Sequence, residues 1–356
     1  MPPFLQFLIR RILAIPVTLF FITLVLFGGV MLTPPEARAA LYMPNSQRNL
    51  TDEQEKRLIE FAIERHHLRD PLPIQYGIWV SDMLRGSWGY SPTLKSDVLP
   101  SLLRRTPATV ELTLFSLLLF VPLGLFSGVV AGWRQSGGFD VAFRGVAFLG
   151  TSVPPFILSL ILLAVFYVQL GWFAPERISS PFSYQITQEA FRSPTGMLTV
   201  DSLLNGRYDI LFDALRHLAL PAFTLSLYHW ATLGRLTRST IIEHRRKDYI
   251  LSARARGLSE RRIVWQHAFR NVLAPSFTSM SLSAASLLTG IFVVELIYNI
   301  NGISEVIAKA MSGIPDANAS MGFAVYSVIM VLALMFALDV IQAAVDPRVS
   351  EEILRS

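Results

Sequence analysis

The sequence predicts an all-α membrane protein with six transmembrane helices and a long outer segment between the first two. Two observations carry that prediction. Of the 356 residues, 52% are apolar and only 16% charged, whereas about a quarter of the residues in a soluble globular domain are charged. Six apolar stretches are also long enough for the roughly 20 helical residues that cross a bilayer: residues 12–32, 109–133, 146–170, 218–236, 273–297 and 321–345. The composition excludes an ordinary soluble enzyme. The absence of cysteine excludes disulfides, CxxC zinc sites and thiol nucleophiles.

The first stretch follows Arg10 and Arg11 and precedes Ala37, Arg38 and Ala39, which resemble a signal-peptide cleavage site. Its apolar run exceeds the roughly 7–15 residues of a signal core and five more runs follow, so it reads as a span. If the N-terminus is inside, the inner segments hold 16 Lys and Arg against 7 Asp and Glu. The outer segments, about twice as long, hold 15 against 16. The basic excess therefore lies inside, with both termini. The net charge of +5 then needs no nucleic acid to explain it.

The outer segment, residues 33–108, opens with a helix start at Thr51, Asp52 and Glu53, where acids favour the first turn. That helix is expected to reach about His67 and to break at Asp70-Pro71-Leu72-Pro73. A Trp- and Gly-bearing run, Trp79 to Tyr90, then leads through Leu99 to Leu103 into the second span. Together these predict a small ordered cap. With no internal repeat, the chain reads as one membrane domain, 1–356, with outer elaborations.

The long inner loop, residues 235–272, reads as two helices with a corner. Gly257 suits the left-handed position that ends a helix, Ser259 is a good N-cap, and Glu260 falls in the following first turn. Pro275 fits the first turn of the next span. Small Ser252, Ala253 and Ala255 alternate with Arg254 and Arg256, allowing another backbone to approach while the arginines fix register. Docking to a partner protein and anchoring to anionic lipid both fit such a helix.

Elsewhere the signals are plainer. None of the four lysines follows a glycine, so the chain carries no Walker A loop. Gly124, Gly128 and Gly132 form a GxxxG series suited to close helix packing. Ser276, Ser279, Ser283, Ser286 and Gly290 recur at helical spacing along the fifth span, a small polar face fit for packing or for lining a path. Pro154-Pro155 marks a kink or a shifted boundary in the third span. His66 and His67 show no metal-ligand spacing and read as surface residues. Glu111, Glu295 and Asp339 lie near span ends without a deep basic partner, which argues against a proton-coupled carrier.

Several ordered motifs carry a family resemblance across nearly the whole chain. Ser252-Ala-Arg-Ala-Arg-Gly257-Leu-Ser-Glu-Arg-Arg with His267-Ala-Phe-Arg-Asn271 and Pro275 resembles the EAA coupling loop of permease subunits of bacterial ABC importers, most of all the dipeptide, oligopeptide and nickel branch. Phe7-Leu-Ile-Arg-Arg11, Asp70-Pro-Leu-Pro-Ile-Gln-Tyr76, Leu84-Arg-Gly-Ser-Trp-Gly-Tyr-Ser91 and Thr106-Pro-Ala-Thr-Val-Glu-Leu-Thr113 are similar to segments of that branch. So are His217-Leu-Ala-Leu-Pro-Ala222, Leu236-Thr-Arg-Ser239, Val294-Glu-Leu-Ile-Tyr-Asn299 with Asn301-Gly302, and Asp346-Pro-Arg348. The general pattern begins with glutamate six residues before the glycine; here Leu251 holds that position, and Ser252 replaces the first alanine.

The resemblance implies a type I importer permease in the bacterial inner membrane that binds no cofactor and is not itself an enzyme. Its expected partners are a homologous second permease, two cytoplasmic ATPase subunits that hold ATP and Mg, an extracytoplasmic substrate-binding protein and a di- or oligopeptide substrate. The implied coupling residues are Asp248, Ser252, Ala253, Arg254, Ala255, Arg256, Gly257 and Leu258. It also favours a path along Ser279, Ser283, Ser286 and Gly290. Nickel chelates or oligosaccharides are alternative cargoes, and a scaffold or channel with a lipid-binding inner loop is an alternative class.

Overall fold

The structure is a computed structural model that describes residues 3–39, 52–65, 67–187, 191–312 and 316–345. Thr51, His66 and the motif at 346–348 lie outside the described residues. In chain order the helices are α1 (Pro3–Met31), α2 (Pro35–Ala39), α3 (Asp52–Arg65) and α4 (Leu72–Leu84). A two-residue hairpin follows, with β1 (Tyr90–Ser91) antiparallel to β2 (Ser96–Asp97). Next come α5 (Val98–Trp133), α6 (Gly138–Ser152) and α7 (Pro155–Leu162), which continues as a π-helical stretch over Leu163–Gln169. The short α8 (Ser180–Ile186) and α9 (Leu198–Leu204) lead to α10 (Tyr208–His244) and α11 (Asp248–Ala255). Then α12 (Glu260–Arg262) runs through a second π-helical stretch, Ile263–Ala268, into α13 (Phe269–Ile297), followed by α14 (Ser304–Met311) and α15 (Ala317–Val345).

Among the described residues, five helical stretches are long and apolar enough to cross a membrane, and the bent pair of α6 with α7 and its extension makes six if it is one span. The third span, expected over residues 146–170 with a kink or a shifted boundary at Pro154-Pro155, is kinked there and begins earlier, at Gly138. The helix axis bends by 101°, because Pro154 forces the preceding residue out of helical geometry and Val153 is extended (φ −99°, ψ 117°). The expected placement of Pro275 also changes: it lies inside α13 instead of at its start. The helix arrives from Glu260 without a break, and membrane helices tolerate an internal proline where neighbouring groups satisfy the freed carbonyl. Likewise α5 begins at Val98 and α10 extends beyond its apolar run at both ends. Apolarity reports how much of a helix suits lipid; polar residues can continue the helix past that limit.

The described chain divides into two compact units. One comprises residues 11–105 and 305–330. Asp316 organises it. Its Oδ2 accepts from the Ser91 hydroxyl (2.6 Å) and the Thr93 hydroxyl (2.9 Å), while Oδ1 accepts from the Ala319 amide (3.0 Å) at the start of α15. Gly322 lets α15 approach Val98 so closely that a β-carbon there would overlap the valine side chain. Glu305 joins Arg105 at 2.8 Å.

The other unit comprises residues 1–10, 106–304 and 331–356, with α10 at the centre of its described part. Gly124, Gly128 and Gly132 form the seam of α5 against α10. A β-carbon on Gly128 would stand 2.6 Å from the Gly234 carbonyl oxygen, and one on Gly132 would stand 2.7 Å from that of Arg238. The glycine series therefore serves close packing. At one end of this seam, Arg238 donates twice to the buried Asp140 of α6 (2.5 and 2.9 Å), which also accepts from the Ser136 amide.

Candidate coupling surface and polar face

The loop within residues 235–272 turns its corner at the glycine that its spacing singles out. Gly257 takes φ +73°, the left-handed conformation that closes a helix, and α11 turns there towards α12. Ser259 occupies the extended position before α12, but its side chain makes no capping bond. Glu260 performs a different task in that first turn. It accepts from Arg254 Nε at 2.9 Å and from the indole Nε1 of Trp133 at 3.0 Å. The guanidiniums of Arg245 and Arg254 lie over the Trp133 ring, 5.8 and 5.5 Å from its centroid, in cation–π contact. Arg245 also donates to the Trp133 carbonyl. The last residue of α5 is thus bound to both helices of the loop.

Ile250 and Ala253 turn inward and are fully buried with Val129, Ile263 and Val272. Arg254 and Leu258 are half-buried. Asp248, Leu251, Ser252, Ala255, Arg256 and Gly257 face outward. This stripe follows the i, i+3, i+4, i+7 spacing of one helix face. Of the eight residues singled out in the loop, Asp248, Ser252, Ala255, Arg256 and Gly257 therefore share an exposed surface. Ala253 belongs to its mount.

The serine series of α13 divides in two. Ser276 is fully buried, with its hydroxyl 3.4 Å from that of Thr237 on α10, and Ser283 is buried too. Ser279 and Gly290 are half-buried and Ser286 is exposed. The spacing alone does not separate these groups, because residues seven apart share a face while those three apart diverge around it.

Two buried carboxylates flank this unit, and both have partners that sequence inspection missed. Glu111 accepts from Arg177 Nη2 (2.7 Å) and from the Thr199 amide and hydroxyl (each 2.7 Å). Arg177 and Thr199 lie in the connection preceding α10, which carries little periodic signal. Glu295 accepts from the Thr109 hydroxyl (2.6 Å) and the Ser304 amide (3.1 Å), and Thr109 in turn accepts from the Ile303 amide (2.9 Å). His67 pairs with Asp70 at 2.9 Å on the surface.

These features define a multi-pass helical membrane protein with a firmly mounted, partly basic helix displayed at one end of its spans. Residues 121–351 match the family described as "Binding-protein-dependent transport system inner membrane component", and the chain belongs to that family. It is 32% identical to the di/tripeptide transport system permease protein DppB of Pseudomonas aeruginosa, over 98% of this chain and 99% of the relative. It is 28% identical to the dipeptide transport system permease protein DppB of Alkalihalophilus pseudofirmus, over 97% and 99%. Identity to the oligopeptide transport system permease protein AppB of Bacillus subtilis is 32%, over 82% and 84%.

Proposed function

We propose that this chain is the permease subunit of an ATP-driven importer of dipeptides or oligopeptides that works by alternating access. The observation that carries the reading is the exposed stripe Asp248, Ser252, Ala255, Arg256 and Gly257 on a rigid mount. Such a surface suits insertion into a groove on a separate ATPase subunit, where small side chains let the backbone close in and Arg256 fixes register. Near full-length similarity to di-, tri- and oligopeptide permeases supports the cargo class.

In this reading both termini and the loop over residues 235–272 face the cytoplasm, and the segment over 33–108 faces outward, where a substrate-binding protein delivers peptide. A homologous second permease completes the pathway. Two ATPase subunits hold ATP and Mg; their closure moves the coupling loops, while this chain contributes no catalytic residue. A ligand shifts such an equilibrium only by binding one state better than another, so weak contacts along Ser279, Ser286 and Gly290, backed by Ser283, suffice for passage.

The test is uptake of labelled di-, tri- and pentapeptides in cells with and without this chain, with other peptide importers deleted. Uptake is expected to vanish on deletion and to return with wild type but not with Gly257→Asp, whose membrane level stays normal. Unchanged peptide uptake on deletion would move the cargo to nickel chelates or oligosaccharides. Co-purification of Gly257→Asp with the ATPase and normal transport would overturn the coupling role.

A further inference from the structure

The unit of residues 11–105 and 305–330 holds a cavity of about 250 Å³ that nothing above employs. It lies where two apolar helices end, with Phe27 from the last turns of α1 and Met321 from the first turns of α15 on its wall. Both helices are long enough to cross a membrane, so the cavity sits at a membrane–water boundary whichever way the chain is inserted. Trp79 on the same wall is of the residue type enriched at that depth.

The wall carries a buried charge that no described carboxylate contacts directly; Glu36 acts on it only through its charge. Arg38 is only 6% exposed, and among the described residues its hydrogen-bond partners are all neutral: Gln75 Oε1 at 2.9 Å, the Leu68 carbonyl at 2.8 Å and Met31 Sδ at 2.8 Å. Its Nε is buried without a partner. A buried guanidinium among neutral groups is costly unless an anion joins it. Arg65 adds a second cation to the wall, and Asp82 is the one carboxylate among the described lining residues.

The size of the cavity selects among anions. It falls below the roughly 300 Å³ at which pockets for drug-sized ligands begin, so it suits one small charged head and not a peptide with two termini and side chains. We propose that this cavity binds the phosphate–alcohol head group of one membrane glycerophospholipid. The phosphate meets Arg38 and Arg65. The ammonium or hydroxyl donors of an ethanolamine or glycerol head meet Asp82. The acyl chains leave past Phe27 and Met321 into the bilayer. This site goes beyond the transport reading and does not depend on it.

The experiment is native mass spectrometry of the full chain, purified with its partner subunits in mild detergent. Phosphatidylethanolamine, phosphatidylglycerol, phosphatidylcholine or inorganic phosphate is added in turn. One ethanolamine or glycerol lipid should be retained per chain, about fivefold over the choline lipid, which lacks head-group donors; Arg38→Met should lower retention about tenfold, the loss expected for a charge-assisted contact. Arg65→Met and Asp82→Leu, both at exposed side chains, carry the test if Arg38→Met does not fold: the first lowers retention and the second abolishes the preference over choline. Arg57→Met, outside the cavity on the same unit, should change nothing. Equal retention of the three lipids, or full retention in both arginine variants, would overturn the site. Retention of inorganic phosphate with no lipid would overturn the lipid as its source.

Discussion

Gly302 faces the carboxylate of Glu295 so closely that a β-carbon at 302 would overlap it. That carboxylate receives Thr109 from α5 and Ser304 from the start of α14, so one missing methyl group lets three chain segments meet at one buried acid.

Gly302→Ala should displace Glu295 and leave buried donors unpaired, costing about 2–4 kcal/mol. The expected result is a large drop in the melting temperature of the purified protein and low membrane abundance. Thr109→Ser, which keeps the hydroxyl, should be nearly neutral. A stable Gly302→Ala protein would show that the knot does not hold this end of the fold.

The α5–α10 seam makes a second, contrasting pair. Gly128→Leu places a side chain where the Gly234 carbonyl oxygen and Thr237 already stand, and overpacking of this kind costs about 1–3 kcal/mol or more. A β-carbon on Gly145 of α6 meets nothing within 4 Å, so Gly145→Leu should not lower thermal stability. Equal effects of the two would refute close packing as the role of the glycine series.

Glu260 should transmit force more than it stabilises. Glu260→Gln removes the charge and one of the two acceptor oxygens that serve Arg254 and Trp133, which weakens the mount of α11 by about 1 kcal/mol, too little to unfold the chain. On the transport reading, ATP hydrolysed per peptide imported should rise severalfold with complex assembly intact. Measurement of both rates in proteoliposomes checks this; an unchanged ratio would show that the mount carries no load.

Glu305 gives the protein a pH response outside the spans. Burial pushes its carboxyl up, but hydrogen bonds from Arg105 and Lys309, with their charges, outweigh this and hold it below the ordinary value of 4.5. A lowered folded-state pKa gives stability that is complete above the ordinary value and is lost as pH falls through the folded one. Glu305→Gln should therefore melt lower than wild type at neutral pH, and the gap should close as pH drops below 4.5. A gap that persists in acid would place the residue's contribution in packing.

The pattern of apolar runs made the helical class legible, and local chemistry made the corner between α11 and α12 legible: there only Gly257 could take the left-handed turn without strain, and the structure gives it φ +73°. The mount was not legible. Trp133 and Glu260 are 127 positions apart, and no local spacing encodes a contact of that range. Arg177 reached Glu111 in the same hidden way, which is why that acid looked unpaired. The serine series divides for a geometric reason. A helix face read as one stripe drifts around the axis, so Ser276 and Ser283 turned inward while Ser286 did not.

The bend at Pro154 has a topological consequence. At 1.5 Å per residue, the 15 residues of α6 extend about 22 Å, short of the roughly 30 Å hydrocarbon layer, so the bent pair crosses only if both legs contribute. Crossing is a matter of parity. With the pair counted, four crossings precede α11 and return it to the side of the N-terminus; without it, α11 and everything beyond change sides. The crossing made by the two legs on either side of Val153 thus sets the sidedness of the half of the chain that follows them. A protein without cysteines allows single introduced thiols on α11 and near Met1 to report that parity by labelling from one side of the membrane.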